Sequence, residues 1–404
     1  MTYNRLGLIV LAAGLGLASA QENVLSAAEK AAGFELLYDG VTVNPALLMN
    51  MVGGALNWQK DGDGLRCQSQ GEAQSLCTKK KYANFEFHID FKPGNATQNS
   101  GIFTRVPTAT PDNIMHVPEY GIQGEPHTCG YQCHTGDVYA MQAASKTPQK
   151  MGEYNNAVIW MNGNYGEYWL DDIKVNEFII NSPLWDQQQI ASTKINPYAP
   201  DYGDSPDGFV CVQDHGTTLT KDFWARNIKV REFAKDGKMP LPVATTKTLT
   251  TQPKSVELTL SVGVVGAVIR YTTDGTVPDS MSTIYTAPIT FTSDKTVTVR
   301  AFRARFTPSD AVTAQIQGAT AIISLRPTHL AQLFNRSEAG DLHFQLPDYL
   351  KGDVRLTDMR GSLVAEKKDA SGSFQMGASS MHPGVYFLSF ASTGLQLTEK
   401  ILVE

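Results

Sequence analysis

Short segments in which polar and apolar residues alternate recur along this chain, and no sustained apolar period of 3.6 accompanies them. Asn84-Phe85-Glu86-Phe87-His88-Ile89-Asp90-Phe91 is the clearest, followed by Ala157-Val158-Ile159-Trp160-Met161 and Asn227-Ile228-Lys229-Val230-Arg231. A period of two sets one face of a strand on a core and the other toward water. Loops rich in Asn, Gly, Pro and Asp separate the runs, and helix is confined to a short stretch near Val24 to Ala32. The chain is therefore expected to be all-β. Many short strands joined by long loops indicate a sandwich or jelly roll, a fold with a concave sheet face on which ligands can sit. At 404 residues the chain exceeds one domain of ~100–200 residues, so two or three are expected. With 42% hydrophobic and 18% charged residues it can build cores and is neither disordered nor a coiled coil. The net charge of -6, with no basic stripe, excludes nucleic acid as a partner.

The first twenty residues have the build of a secretory leader. Arg5 gives the positive start, Leu6 to Leu17 the apolar run, and Ala18-Ser19-Ala20 the cleavage site. The run is too short for a bilayer, which needs ~20 apolar residues. No later segment is apolar enough to span, so the mature chain is expected outside the cytoplasm, secreted or at the cell surface. All five cysteines lie between 67 and 211. Cys67 and Cys77 flank a Gly-containing turn, which suits a hairpin cross-link. Cys129 and Cys133 lie in His127-Thr128-Cys129-Gly130-Tyr131-Gln132-Cys133-His134, whose two His and two Cys could bind zinc. In an oxidising compartment a small disulfide loop is the expectation there. Cys211, in an apolar stretch, is then left as a buried thiol.

Residues 21–234 hold all the cysteines and form the first domain. Lys235-Asp236-Gly237-Lys238-Met239-Pro240-Leu241-Pro242 opens a linker over 235–244. From 245 to 320 the chain is strand-like again, with the tight-turn pair Asp274-Gly275, and reads as a small β-sandwich. A third small all-β unit, 321–404, runs to Lys400-Ile401-Leu402-Val403.

Polar residues in strand contexts mark a candidate site in the first domain. They fall in Asn99-Ser100-Gly101-Ile102-Phe103-Thr104-Arg105, Glu119-Tyr120-Gly121-Ile122-Gln123, Val212-Gln213-Asp214-His215-Gly216 and Phe223-Trp224-Ala225-Arg226-Asn227. On a regular strand Glu119 and Gln123 share a face, as do Gln213 and His215. Such a face is poor core, since each unpaired buried polar group costs ~1–3 kcal/mol. It suits sugar binding or acid–base work, and equally a solvated sheet face. Glu86, His88 and Asp90 also share a face, read here as solvated or supporting.

Gly33-Phe34-Glu35-Leu36-Leu37-Tyr38-Asp39-Gly40, Asn84-Phe85-Glu86, Asn99-Ser100-Gly101-Ile102, Glu119-Tyr120 with Gln123, and Gln213-Asp214-His215-Gly216 with Arg226-Asn227-Ile228, in this order, resemble the 3-keto-disaccharide hydrolase family. The resemblance covers roughly residues 33–233. It implies a concanavalin-like jelly roll acting on 3-keto-glycosides. Departures are Tyr154 where the family has Trp before Asn155, Trp224-Ala225-Arg226-Asn227 in place of Phe-Arg-Asn, and the segments Cys129–Cys133 and Tyr198–Asp207. Tyr271-Thr272-Thr273-Asp274-Gly275-Thr276-Val277-Pro278 with Tyr285, Pro288-Ile289 and Val299-Arg300-Ala301 is similar to the chitobiase/β-hexosaminidase C-terminal domain. That implies an immunoglobulin-like module without catalysis. Gly384-Val385-Tyr386-Phe387 and the terminal Lys400-Ile401-Leu402-Val403 resemble a C-terminal sorting domain, and imply contact with a secretion machinery.

For a 3-keto-glycoside the chemistry needs a base for the C2 proton, a donor at the C3 oxygen and an acid for the leaving oxygen. His215 and Glu119 are the expected catalytic residues. Gln213, Gln123, Asn99, Arg105 and Arg226 are expected to bind substrate. His215 and Glu119, with Asp137 as a third candidate, could hold a divalent metal; no other cofactor is called for. The expected partner is an oligosaccharide or 3-keto-sugar. The rival reading is a non-catalytic carbohydrate-binding protein on the same jelly roll. An ordinary retaining glycosidase is disfavoured, since it wants two carboxylates ~5–5.5 Å apart and no Glu-x-Asp-x-x-Glu strand is present.

Overall fold

A computed structural model describes residues 22–125, 130–198, 201–216, 222–249, 255–316, 326–327, 334–336, 342–345, 351–376, 382, 384–392 and 395–403. The first twenty residues, where a leader is expected, and Cys129 lie outside the described residues. The first domain is a jelly roll of two antiparallel sheets. Its strands are β1 (Glu35–Leu36), β2 (Leu48–Asn50), β3 (Trp58–Asp61), β4 (Gly64–Cys67), β5 (Leu76–Thr78), β6 (Phe85–Pro93), β7 (Asn99–Val106), β8 (Glu119–Gln123), β9 (Asn155–Asn162), β10 (Tyr165–Leu170), β11 (Ile173–Ile179), β12 (Phe209–Val212) and β13 (Phe223–Glu232). The larger sheet has eight strands ordered β11-β10-β9-β6-β13-β4-β3, with β1 on β13; the smaller has five, ordered β2-β5-β12-β7-β8.

The alternation in β6 sorts its residues. Phe85, Phe87, Ile89 and Phe91 enter the core between the sheets, against Ile102, Tyr120, Ile122 and Val212 of the smaller sheet. Ser26 caps the short helix α1 (Ala27–Ala31) in a capping box with Glu29, which fixes the helix expected near Val24.

The cysteine pairing differs from expectation. Cys77 is bonded to Cys211, 134 residues away, with Cα atoms 4.1 Å apart. The two face each other across the β5–β12 ladder. Cys67 is instead buried in the main core on β4, in the other sheet, so nearness in sequence misleads. Cys133 is disulfide-bonded as well.

The second domain pairs β14 (Val243–Leu249), β15 (Ser255–Ser261) and β18 (Ile289–Phe291) in one sheet. The other holds β17 (Thr283–Ile284), β16 (Val268–Thr272), β19 (Lys295–Phe302), β20 (Val312–Ile316) and β21 (Arg326–Pro327). The stretch read as a linker is packed: Met239 is buried, Lys238 pairs with Asp310 at 2.5 Å, and β14 already begins at Val243. In the third domain a four-stranded sheet of 352–358, 363–370, 384–392 and 395–403 accompanies a three-stranded one.

The second domain seals part of the outer face of the eight-stranded sheet. Trp160 of β9 is fully buried, with Phe306 5.5 Å away and the Arg303 guanidinium 4.0 Å above its ring. Arg303 also pairs with buried Glu167 of β10 at 2.7 Å. Glu86 of β6 pairs with Arg231 of β13 at 2.8 Å and accepts from the Val265 backbone N–H of the second domain at 2.9 Å. The face of Glu86 and His88, read as solvated or supporting, is an interdomain seam at Glu86.

Burial alone would push the Glu86 carboxyl up, but the Arg231 charge and the His88 hydrogen bond hold it down at about 2, from an ordinary 4.5. A depressed carboxyl stabilises the fold above its unfolded value and loses that contribution as pH falls through the folded one. Stability is therefore expected to drop between pH 4.5 and about 2, by on the order of 3 kcal/mol. Urea denaturation across that range checks it; a Glu86→Gln chain should lack this portion of the drop.

Candidate functional site

The outer face of the five-stranded sheet carries the polar cluster. β7 and β8 run antiparallel, with Phe103 opposite Glu119, Gly101 opposite Gly121 and Asn99 opposite Gln123. Ile102, Tyr120 and Ile122 point into the core, so Gly101, Glu119, Gly121 and Gln123 line the other side. The glycines make the hollow. A Cβ at Gly101 would collide with the Glu119 carboxylate, and one at Gly121 would lie 2.9 Å from the His134 carbonyl oxygen. Glu119 thus lies flat across Gly101, under the loop that follows β8.

Glu119 is 8% exposed. Burial pushes its carboxyl well above the ordinary range, and the negative charge of Glu72 pushes it further. Tyr202 accepts a hydrogen bond from the Glu119 backbone, and Tyr139 donates its backbone N–H to the Glu119 carbonyl at 3.1 Å. A carboxyl raised in this way is suited to exchanging a proton with a bound ligand.

Gln213 reaches the same hollow from β12. Its backbone N–H donates to the Gly101 carbonyl at 2.8 Å, and Ser100 Oγ donates to its carbonyl at 2.9 Å. Its Nε2 meets Glu72 Oε1 at 3.4 Å, while its Oε1 is buried without a partner. Asp214 is a fastener: its carboxylate accepts from the backbone N–H of Gln70 at 2.9 Å, Gly71 at 3.3 Å and Gly216 at 2.9 Å. His215, half-buried, stands between Asp214 and Gly216, the residues that clasp the Gln70–Gly71 turn. Glu72, which sequence reasoning passed over as part of a turn, stands beside this group.

Three other expected residues are engaged elsewhere. Arg105 has a left-handed backbone (φ 56°), which breaks the alternation of β7. Its guanidinium turns to the backbone carbonyls of Ala83 and, at 2.7 Å, Gly163, so it joins the two sheets instead of meeting a ligand. Desolvation lowers its pKa to about 10. Arg226 lies on β13 of the other sheet, pairing with Glu22 at 3.0 Å and with Asp63, and stacked 3.8 Å over Tyr154. It is on the far side of the sandwich from Glu119. Asp137 spends its carboxylate on the backbone N–H groups of His134 at 2.8 Å and Ala144 at 2.6 Å, closing a loop. Among the described residues no group of three His, Cys, Asp or Glu could hold a metal, so the set His215, Glu119 and Asp137 does not fit one. Gln123 shares the Glu119 face, but its Nε2 donates to the Gln98 carbonyl at 2.6 Å. Asn99 sits opposite it at the sheet end, half-buried. A cleft of about 370 Å3, lined by Asn113, His116, Val117, Asp201, Asp204 and Ser205, adjoins the start of β8.

A jelly roll with a polar hollow, followed by two small β-sandwich modules, defines a modular carbohydrate-related protein. Residues 35–231 match the 3-keto-alpha-glucoside-1,2-lyase-like domain, 244–313 the chitobiase/beta-hexosaminidase C-terminal domain, and 339–404 the secretion system C-terminal sorting domain. The three matches follow one another along the chain in that order. The sorting domain makes it a secreted or cell-surface protein. No helix among the described residues is long and apolar enough to cross a membrane.

A candidate glycosyl hydrolase from Parabacteroides distasonis is 26% identical over 53% of this chain and all of its own length, with a TM-score of 0.46. A second from the same organism is 24% identical over 46% of this chain and 99% of its own, TM-score 0.37. The Bacillus subtilis carbohydrate binding module CBM66 is 15% identical over 44% and 92%, TM-score 0.25. No curated protein matches the chain significantly.

Proposed function

We propose that the first domain cleaves 3-keto-glycosides by elimination and hydration, with Glu119 and His215 as its proton-handling groups. One observation carries this reading: a carboxyl raised by burial lies across a glycine floor, beside an unpartnered Gln213 carboxamide oxygen. A ketone at C3 acidifies the C2–H bond. A base removes that proton, and the electron pair passes into the C3 oxygen as an enolate. Asn99 is the donor at hand for that charge, while Gln213 Oε1 can accept from a sugar hydroxyl. The pair then returns to form C1=C2, the C1–O bond breaks, and the leaving oxygen takes a proton from the acid form of Glu119. Water adds its oxygen to C1 and a proton returns to C2, so the net change is hydrolysis. The cleft beside the start of β8, which carries Asp201, Asp204 and Ser205, is the room we assign to the departing sugar.

The test uses the mature chain, because the second domain seals Trp160 and Glu167. Incubated with a 3-keto-glucoside in D2O, it is expected to release 3-keto-glucose whose C2 carries deuterium at the earliest times. His215→Ala should slow release about a hundredfold or more. Saturable binding without product would favour the carbohydrate-binding reading, and product without C2 deuterium would sink the elimination.

A further inference from the structure

We propose that Glu72 is a positioning residue of this hollow: fixed by the Asp214 clasp, it aims the Gln213 carboxamide and sets its charge against the Glu119 carboxyl. The inference rests on the function proposed above for what the hollow does, but not for how it is built. Glu72 opens a single 3-10 turn, Glu72–Gln74, which has no side-chain cap of its own. Its place comes from Asp214, which gathers the N–H groups of Gln70, Gly71 and Gly216 on one carboxylate. Gly216 fits because a Cβ there would stand 2.8 Å from the Gly71 Cα. Ser75 Oγ accepts the Asp214 N–H at 3.1 Å, tying the far end of the same turn. Two distant loops are thereby clasped so that Glu72 Oε1 meets Gln213 Nε2 at 3.4 Å.

That contact orients the amide. With Nε2 toward Glu72, the opposite atom, Oε1, is the one left buried and unpartnered. A buried acceptor without a donor is expensive, and a ligand hydroxyl arriving there would repay it. The step from Gln213 to Glu119 is short: Gln213 N–H holds the carbonyl of Gly101, the residue over which Glu119 lies. The ionisable groups that act on Glu119 are Glu72 from the turn, Tyr202 from the loop before β12, Tyr139 from the loop after β8 and Tyr168 from β10. Of these Glu72 is the one carboxylate, and two adjacent carboxylates resist carrying charge together.

The experiment reads Glu119 directly and needs no turnover. In protein with 13C-labelled glutamate carboxyls, the Glu119 signal is assigned by its loss in Glu119→Gln and titrated with and without Glu72→Gln. The Glu119 titration is expected to move to lower pH in Glu72→Gln and to stay near the parent position in Glu72→Asp, which keeps the charge. If the hollow is catalytic, kcat/KM at neutral pH should fall about tenfold in Glu72→Gln, the size of one hydrogen bond to a charged group. Its pH profile should shift with the titration. An unmoved Glu119 titration in folded Glu72→Gln overturns the proposal even if the chain is an active enzyme. A shifted titration in a chain without turnover upholds it and counts against the enzymatic reading instead.

Discussion

Glu119→Gln is expected to abolish most turnover, by about a hundredfold to ten-thousandfold in kcat, while the chain stays folded. Glutamine has the shape of the protonated acid and fits the same space across Gly101, but it can neither give nor take the proton. The stability consequence has a definite sign. Burial raises the folded pKa of Glu119 above its unfolded value. Its contribution is therefore fully present below the unfolded value and is lost as pH rises through the folded one. The Gln variant, which never charges, should lack that loss, so its unfolding free energy should equal or exceed the parent's on the alkaline side. Parallel kinetics and urea denaturation across pH check both. An active Glu119→Gln protein would remove the carboxyl from the reaction altogether.

The largest stability effect is expected at the interdomain seam. Arg303→Ala removes the partner of Glu167, which is 5% exposed and also receives Tyr165 Oη at 2.6 Å and Trp169 Nε1 at 2.8 Å. Breaking one side of a buried pair strands the other charge, at ~3–5 kcal/mol. The loss of the cation above Trp160 adds to it. Calorimetry on the full chain should show a lower Tm and, as the first two domains uncouple, a broadened or split transition. The double variant Arg303→Met with Glu167→Gln should recover much of the loss, since no buried charge is left unpaired. An Arg303→Ala chain as stable as the parent would mean the seam does not bind the domains.

The alternation that made β6, β9 and β13 legible is a local signal, and what it governs was readable: strands, facing and the shared side of Glu119 and Gln123 on β8. What escaped is set by partners distant in the chain. Arg226 sits in a regular strand, yet which sheet holds that strand is decided by its pairing with β6, over a hundred residues earlier. Arg105 escaped because one left-handed residue turned its side chain out of phase. The disulfide escaped because β5 and β12 are neighbours only in the folded sheet. Glu72 lay in a turn with no periodicity; the buried Asp214, in contact with three backbone N–H groups, was the signal, and only coordinates reveal such a bond set.

Strand β13, the last of the first domain, fits between β6 and β4, and β1 completes its pairing from the opposite end of the sequence. Until residues 223–232 emerge, both of those neighbours present bare peptide edges. The jelly roll can close only once residues 223–232 are in place, so slow, non-local assembly and vulnerability to edge-to-edge aggregation belong to the stage before that. A truncation even a few residues short of Glu232 is expected to aggregate instead of closing the sandwich.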